Sequence, residues 1–332
     1  MSEHATELLP WMEADYRRLL GLVANGKLAH AYLFGGQEGL GKLALARHFA
    51  HYLLCTEKQD GQPCGHCREC QLLAAGTHPD MKLIKPEDSN EIKIDQIRET
   101  IEFINKTSQR GGYKIVLVRP AEAMNISSAN ALLKVLEEPS SNTLLILVSH
   151  QPALLMATIR SRCHGMGFNR PAPAVVIPWL EAKNIRASAS ELLRMANNVP
   201  LRALELADED AVHDRTVLHG VLEKLVRKEI GIAEAAAACE SYDLEDNIEA
   251  MMLCTSDILA HNQTLSGDSA SPLHDHDLAA LAANFQSAAR LIKLHDFYRQ
   301  LIKARRTVKS KSNPNGLLIL ESLFYSWSRT VN

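Results

Sequence analysis

The stretch Ala31-Tyr32-Leu33-Phe34-Gly35-Gly36-Gln37-Glu38-Gly39-Leu40-Gly41-Lys42-Leu43 reads as a strand, a glycine-rich turn and the first residues of a helix. The amphipathic pattern that begins at Lys42 runs to Leu54. In this context backbone N–H groups and a helix N-terminus together cradle phosphate. Gly36, Gly39, Gly41 and Lys42 are therefore the candidate nucleotide-binding residues. The position after the lysine is where a Ser or Thr hydroxyl holds magnesium. Here it is Leu43, which offers no ligand atom. The cradle is kept and one metal contact is gone.

Outward from this segment the pattern alternates. Apolar strand-like runs at Ala31–Phe34, Met81–Lys85, Lys114–Val118 and Leu144–Ser149 are separated by helical patterns at Lys42–Leu54, Ile94–Asn105 and Ser128–Leu136. Continuous apolar strands between helices predict an α/β domain with a parallel sheet covered on both faces. Arg170-Pro171-Ala172-Pro173 breaks the alternation. A compact helical segment follows, with Ala189–Asn197 its clearest helix. Beyond it only helical periodicity remains: His213–Lys228, Gly231–Glu240, Leu244–His261, Leu278–Arg306 and Leu317–Trp327, with a Ser-rich loop at Gln263–Pro272. The expected division is 1–168, 169–209 and 210–332.

The strand Ile115-Val116-Leu117-Val118 is where a phosphate-loop ATPase carries an Asp for magnesium, often followed by a Glu that polarises water. The next residues here are Arg119-Pro120, and Glu122 falls past the strand tip. With Leu43, two metal contacts are missing together, so efficient hydrolysis at this site is not expected. Binding of ATP or ADP without hydrolysis stays open, because Lys42 and the glycines remain.

Cys55-x8-Cys64-x2-Cys67-x2-Cys70 places four thiols in a loop that also holds Gly61, Pro63 and Gly65. The short spacing lets consecutive thiolates meet one tetrahedral ion, and four thiolates leave no open position, so a structural zinc module is expected at 55–70. His66 is an alternative to Cys55 as fourth ligand, and reduced thiols are the alternative to metal. Cys239 and Cys254 lie on apolar helical faces and read as core. The 332 residues are 46% apolar with net charge −3 and pI near 6.5, which demands neither nucleic acid nor an anionic membrane. No apolar run reaches membrane-spanning length, and the acidic N-terminus lacks signal-peptide order, so a cytoplasmic location is expected.

Two further segments carry a family resemblance. Asn130-Ala131-Leu132-Leu133-Lys134-Val135-Leu136-Glu137-Glu138-Pro139, followed by Thr158-Ile159-Arg160-Ser161-Arg162-Cys163, looks like the clamp-loader branch of the AAA+ ATPases. The cysteine insertion narrows the likeness to the bacterial DNA polymerase III clamp-loader subunits. Thr77-His78-Pro79-Asp80 and the degraded nucleotide motifs resemble the delta-prime branch more than the gamma and tau motors. Asn313-Pro314-Asn315-Gly316-Leu317-Leu318 resembles a short signature of the last collar helices.

The resemblance implies a RecA-like AAA+ domain with a zinc insertion, a helical lid domain and an all-α collar domain used for oligomerisation. It implies gamma/tau and delta subunits as partners, with the sliding clamp and primed DNA met through the complex. Polymerase chemistry would belong to another subunit. Arg162 would be an arginine finger reaching the γ-phosphate of ATP bound next door, a task that suits a guanidinium. Without the resemblance, such an arginine reads as a surface ion pair. Arg202, in Val199-Pro200-Leu201-Arg202, falls at the place of a lid arginine facing its own nucleotide, or it caps or pairs locally. Cys163 lacks the orienting acid a nucleophile needs.

Arg290, Lys293, Arg299, Lys303, Arg305, Arg306, Lys309 and Lys311 could track DNA phosphates. The favoured reading is the solvated side of a collar helix whose Leu291, Leu294, Tyr298 and Leu301 pack against other subunits. Two rivals stand beside the main reading. One is a self-sufficient gamma-type ATPase, which Leu43 and Arg119-Pro120 oppose; the other is a zinc DNA-binding module, which leaves Ser161-Arg162-Cys163 unexplained.

Overall fold

Lys114–Val118 and Thr143–Ser149 are apolar at nearly every position, and a strand of that kind is stable only when both its faces are covered. The computed structural model describes residues 7–87, 89–183, 185, 188–207, 209–264, 281–308 and 315–331. In it β1 (Ala31–Gly35), β2 (Met81–Ile84), β3 (Lys114–Val118), β4 (Thr143–Ser149) and β5 (His164–Gly167) form one parallel sheet in the order β2-β3-β4-β1-β5. Tyr32 pairs with Ile146 on one side and His164 on the other, which puts β1 between β4 and β5. The helices are α1 (Glu13–Ala24), α2 (Lys42–Leu54), α3 (Arg68–Ala74), α4 (Ile94–Asn105), α5 (Ile126–Glu137), α6 (Ala157–Arg160), α7 (Pro173–Glu181), α8 (Ala189–Met195) and α9 (Pro200–Glu205).

Successive side chains alternate across the sheet. Ala31, Leu33, Val116, Val118, Leu145 and Leu147 share one buried cluster with Ile97 and Ile104 of α4, Leu132 and Leu136 of α5, and Ile159 of α6. The intervening Tyr32, Phe34, Ile115, Leu117, Leu144 and Ile146 are equally buried on the opposite face. On that side α2 touches β4, and eleven α2 residues are buried. Four of the five strands stand where the apolar runs placed them. β5 does not follow from any apolar run: it reads His164-Gly165-Met166-Gly167, and only Met166 is buried.

The chain divides into two compact units, 1–203 and 204–332. The second is all-helical: α10 (Glu209–Val226), α11 (Ile232–Cys239), α12 (Leu244–Thr264), α13 (Ala288–Val308) and α14 (Gly316–Val331). Its core centres on Trp327, whose indole donates to Leu222 O at 3.1 Å and lies 5.6 and 5.4 Å from the rings of Phe285 and Phe297. Cys239 and Cys254 are buried there, as core residues. Leu294 and Leu301 of α13, joined by Phe297, are buried in this same core, and Leu291 packs against it. That corrects the expectation that this face waits for other subunits; α13 uses it within its own unit. The pattern read as one helix from Leu278 is interrupted by a 3-10 turn at Ala283–Phe285 before α13 begins. The Ser-rich Gln263–Pro272 opens in the last turn of α12 and otherwise lies outside the described residues, as do Lys309, Lys311, Asn313 and Pro314. Asn315 caps α14, its Oδ1 accepting from Leu318 N at 3.3 Å.

Candidate functional site

The glycine loop joins β1 to α2 and is held by the chain's own groups. Gly41 caps α2 with φ 95°, and a Cβ there would lie 2.3 Å from Leu9 Cδ1. Gly39 has φ 80°, and a Cβ on it would lie 2.4 Å from Val199 Cγ1. Trp11 Nε1 donates to Leu40 O at 2.8 Å, and Leu201 N donates to Gly39 O at 3.1 Å. Arg170 Nε and Nη2 donate to Gln37 Oε1 at 3.0 and 2.8 Å, while its Nη1 reaches Asn197 Oδ1 at 2.9 Å. The N-terminal segment, Arg170 in the segment after β5 and the α8–α9 segment are thereby tied to one loop. Arg202 sits in that segment, its backbone N 3.6 Å from the space a Gly39 Cβ would take.

Lys42 is 2% exposed. An ammonium has three donors, and here they meet Gly36 O at 2.5 Å, Gln37 O at 2.6 Å and His150 Nδ1 at 3.3 Å. Accepting at Nδ1 requires the Nε2–H form of His150, whose Nε2 lies 3.5 Å from Glu38 Oε1. Burial lowers the Lys42 pKa to about 8, opposed by Glu38 and Glu122 and assisted by Arg119. The His150 pKa is likewise lowered, first by burial. Leu43 opens α2 without a hydroxyl, and β3 runs into Arg119, whose Nη2 is 3.9 Å from Glu38 Oε1. Glu122 lies past the β3 tip, as its spacing placed it, in a 3-10 turn, and its Oε1 accepts from His150 N at 2.8 Å and Gln151 N at 3.2 Å. It caps the end of β4, within the electrostatic reach of Lys42. Two cations and two carboxylates thus surround the loop, and the Lys42 ammonium is already bonded to three acceptors of its own chain.

Cys55, Cys64, Cys67 and Cys70 come together with all their sulfurs within 4.8 Å of one another. The Sγ pairs Cys55–Cys64, Cys55–Cys67 and Cys64–Cys70 are 3.6, 3.9 and 4.0 Å apart. A tetrahedral ion with metal–sulfur bonds of about 2.3 Å needs sulfur separations of about 3.8 Å. The donor set therefore fits a metal ion with four thiolates. Backbone N–H groups of Cys64, Cys67 and Cys70 point at Cys55, Cys64 and Cys67 Sγ at 3.4, 3.3 and 3.5 Å. Against the desolvation of burial, the N–H groups of Cys70 and Thr56 bring the Cys67 pKa down to about 5. His66 lies near Cys64 as well, but its Nδ1 is 3.5 Å from Glu57 Oε2 and both groups are exposed. Cys55, at the buried end of α2, completes the closed set.

A polar network that the sequence reading did not assemble anchors this module. His78 Nε2 donates to Glu69 Oε2 at 3.0 Å, and Asp80 N donates to His78 Nδ1 at 3.0 Å. Arg110 Nε spans both Glu69 oxygens at 2.9 and 3.1 Å, and its Nη2 also meets Oε1. Asp80, fully buried, accepts from Ser108 Oγ, Gln109 N and Arg110 N at 2.9, 2.9 and 2.8 Å. Its pKa is lowered because those bonds outweigh desolvation. The Thr77-His78-Pro79-Asp80 signature is thus a rivet between α3, β2 and the loop before β3.

Arg162 follows α6, which lies against α5. Nη2 lies 2.7 Å from Glu137 Oε1, and Nη1 donates to Thr158 O at 3.0 Å. Ser161 Oγ donates to the same carbonyl at 3.1 Å, and Arg160 is exposed. Cys163 is half-buried against the sheet core, and burial raises its pKa to about 11, which makes it a poor nucleophile. In the basic stretch, Arg305 pairs with Glu249, Arg299 Nη1 lies 3.6 Å from Asp296 Oδ1, and Arg290 donates to Asn284 O at 2.9 Å.

The family model described as DNA polymerase III, delta subunit, matches residues 12–172, and the one described as DNA polymerase III, delta subunit, C terminal, matches 209–329. DNA polymerase III subunit delta' of Pseudomonas aeruginosa is 35% identical over 326 residues, covering 97% of this chain and 98% of that one. The chain belongs to the DNA polymerase III delta-prime family. A delta-prime relative from Yersinia pestis is 29% identical over 332 residues, covering 97% and 96%. One from Escherichia coli is 37% identical over 213 residues, covering 63% and 64%. Among solved structures, a DNA polymerase III gamma subunit-related protein from Thermotoga maritima superposes with a TM-score of 0.50 at 17% identity, over 97% of this chain and 100% of that one. That likeness concerns the fold alone: a parallel-sheet α/β domain followed by helices. The family-model match over 12–172 spans the glycine loop, the cysteine cluster and Arg162 alike.

Proposed function

We propose that this chain is the delta-prime stator of a bacterial DNA polymerase III clamp loader. It would support ATP hydrolysis in a neighbouring gamma/tau-type subunit rather than perform it. The observation that carries this reading is an asymmetry within one domain. The chain's own glycine loop lacks a magnesium ligand at Leu43 and Arg119-Pro120, and its lysine is committed to internal acceptors, whereas Arg162 stands at the surface with its side chain 36% exposed. Arg162 would complete the adjacent ATP site in trans, stabilising charge on the transferred phosphoryl group.

Zinc is the ion proposed for Cys55, Cys64, Cys67 and Cys70, in a structural role. Residues 1–168, 169–209 and 210–332 would act as RecA-like, lid and collar domains, the last joining gamma/tau and delta subunits. The sliding clamp and primed DNA would be met through the assembled complex. No helix among the described residues is long and apolar enough to cross a membrane, and the replication role places the chain in the cytoplasm. The test is reconstitution: loaders assembled with and without this chain are assayed for placing a clamp on primed DNA. Loading that needs the chain supports the stator reading; equal loading without it refutes it. In parallel, tight binding of primed DNA by the isolated chain would favour the zinc DNA-binding alternative.

A further inference from the structure

Arg162 does not hang loose on the surface. Its guanidinium is gripped at both terminal nitrogens by two different elements, Glu137 at the end of α5 and the Thr158 carbonyl in α6. A long side chain samples many rotamers, and two anchors on opposite nitrogens fix both its reach and the plane of the fork. Of the five guanidinium donors, these contacts take two among the described residues, which leaves the rest for an acceptor from outside the chain.

We propose that Glu137 is a positioning residue for Arg162. It holds the guanidinium in the orientation in which it meets the phosphate oxygens of a nucleotide bound by the neighbouring subunit. This rests on the reading of Arg162 as a trans-acting finger. The exposure of the pair, 36% for Arg162 and 50% for Glu137, decides between two roles for the carboxylate. A solvated, screened ion pair is too weak to withhold a guanidinium from a polyphosphate, yet it suffices to bias a flexible side chain among rotamers. Preset geometry at a developing charge lowers the reorganisation needed when the transition state forms. Glu137 accordingly assists the finger and does not compete for it.

The experiment compares reconstituted loaders carrying wild type, Glu137→Ala, Glu137→Gln, Arg162→Ala and the Glu137→Ala/Arg162→Ala double variant. ATP turnover is measured with clamp and primed DNA present. Glu137→Ala should lower kcat about fivefold, the scale of an exposed ion pair, with KM for ATP unchanged. Glu137→Gln, close in shape but uncharged, should show most of the same loss, because the ion pair with Nη2 is what orients the fork. The double variant should match Arg162→Ala alone. Should the alanine chain not assemble, Glu137→Asp, charged but one methylene short, should show the same loss. A Glu137→Ala rate at or above wild type, or losses that multiply in the double variant, overturns the positioning role while leaving the finger intact. A wild-type rate from Arg162→Ala overturns the finger reading and this inference together.

Discussion

Lys42 is satisfied within its own chain. The residue is 2% exposed and its amine is bound to Gly36 O, Gln37 O and His150. Because burial lowers its pKa from 10.5 to about 8, the folded state favours the neutral amine. The stability this confers is full above the unfolded value and is lost as pH falls through about 8. Denaturant midpoints of wild type and Lys42→Met should therefore diverge in favour of wild type as pH rises from 7 to 9.5. A constant difference would mean that Lys42 titrates normally. Leu43→Thr restores the missing hydroxyl but not the acid absent at Arg119-Pro120, so the isolated variant should still show no magnesium-dependent ATP turnover in a phosphate-release assay. The absence of magnesium-ligating side chains from this loop was legible from Leu43 and Arg119-Pro120 alone. The role of Glu122 was not, because a carboxylate two residues past a strand can turn back to cap the neighbouring strand.

The cysteine module is an element whose four thiols suit one metal ion and which is riveted by buried polar groups. Chelation followed by zinc assay should release one ion per chain and lower Tm, and Cys64→Ser should lower it without chelator. A chain with unchanged Tm after metal removal would show that the thiols need no ion. Asp80→Ala should cost about 3 kcal/mol in chemical denaturation, since it orphans donors from Ser108, Gln109 and Arg110. The cysteine spacing announced its module because all four ligands lie close in sequence. The Glu69–His78–Asp80–Arg110 network gave no such signal, as its members are spread over 42 positions, counted from Glu69 to Arg110, and meet only after α3, β2 and the loop before β3 are in place. Four strands were legible as apolar runs. β5 was not, since an edge strand with two glycines and one buried methionine needs no hydrophobic pattern. The helical pattern from Leu278 likewise could not reveal the 3-10 turn before α13, because apolar spacing continues through it.

For the whole molecule, the two halves of the reading belong to different ends of one α/β domain. The glycine loop is closed on itself at the C-terminal ends of β1 and β4, whereas Arg162 sits just before β5 begins. The glycine loop was legible from its own residues and Arg162 only through the resemblance, but neither could show that the loop's lysine is internally satisfied or that Arg162 is paired with Glu137. Those contacts depend on side chains 108 and 25 positions apart, in the Lys42–His150 and Arg162–Glu137 pairs. The account's central claim is catalysis supplied in trans by a chain that has none of its own. It is tested most directly by clamp- and DNA-stimulated ATP turnover of the reconstituted loader, wild type against Arg162→Ala, with the isolated chain measured alongside. The account predicts no turnover by the chain alone and a fall of at least about tenfold in the mutant complex, a conservative bound against the roughly 10³–10⁵ that an arginine finger supplies, while assembly persists. Turnover by the isolated chain, or an undiminished rate in the mutant complex, would contradict it.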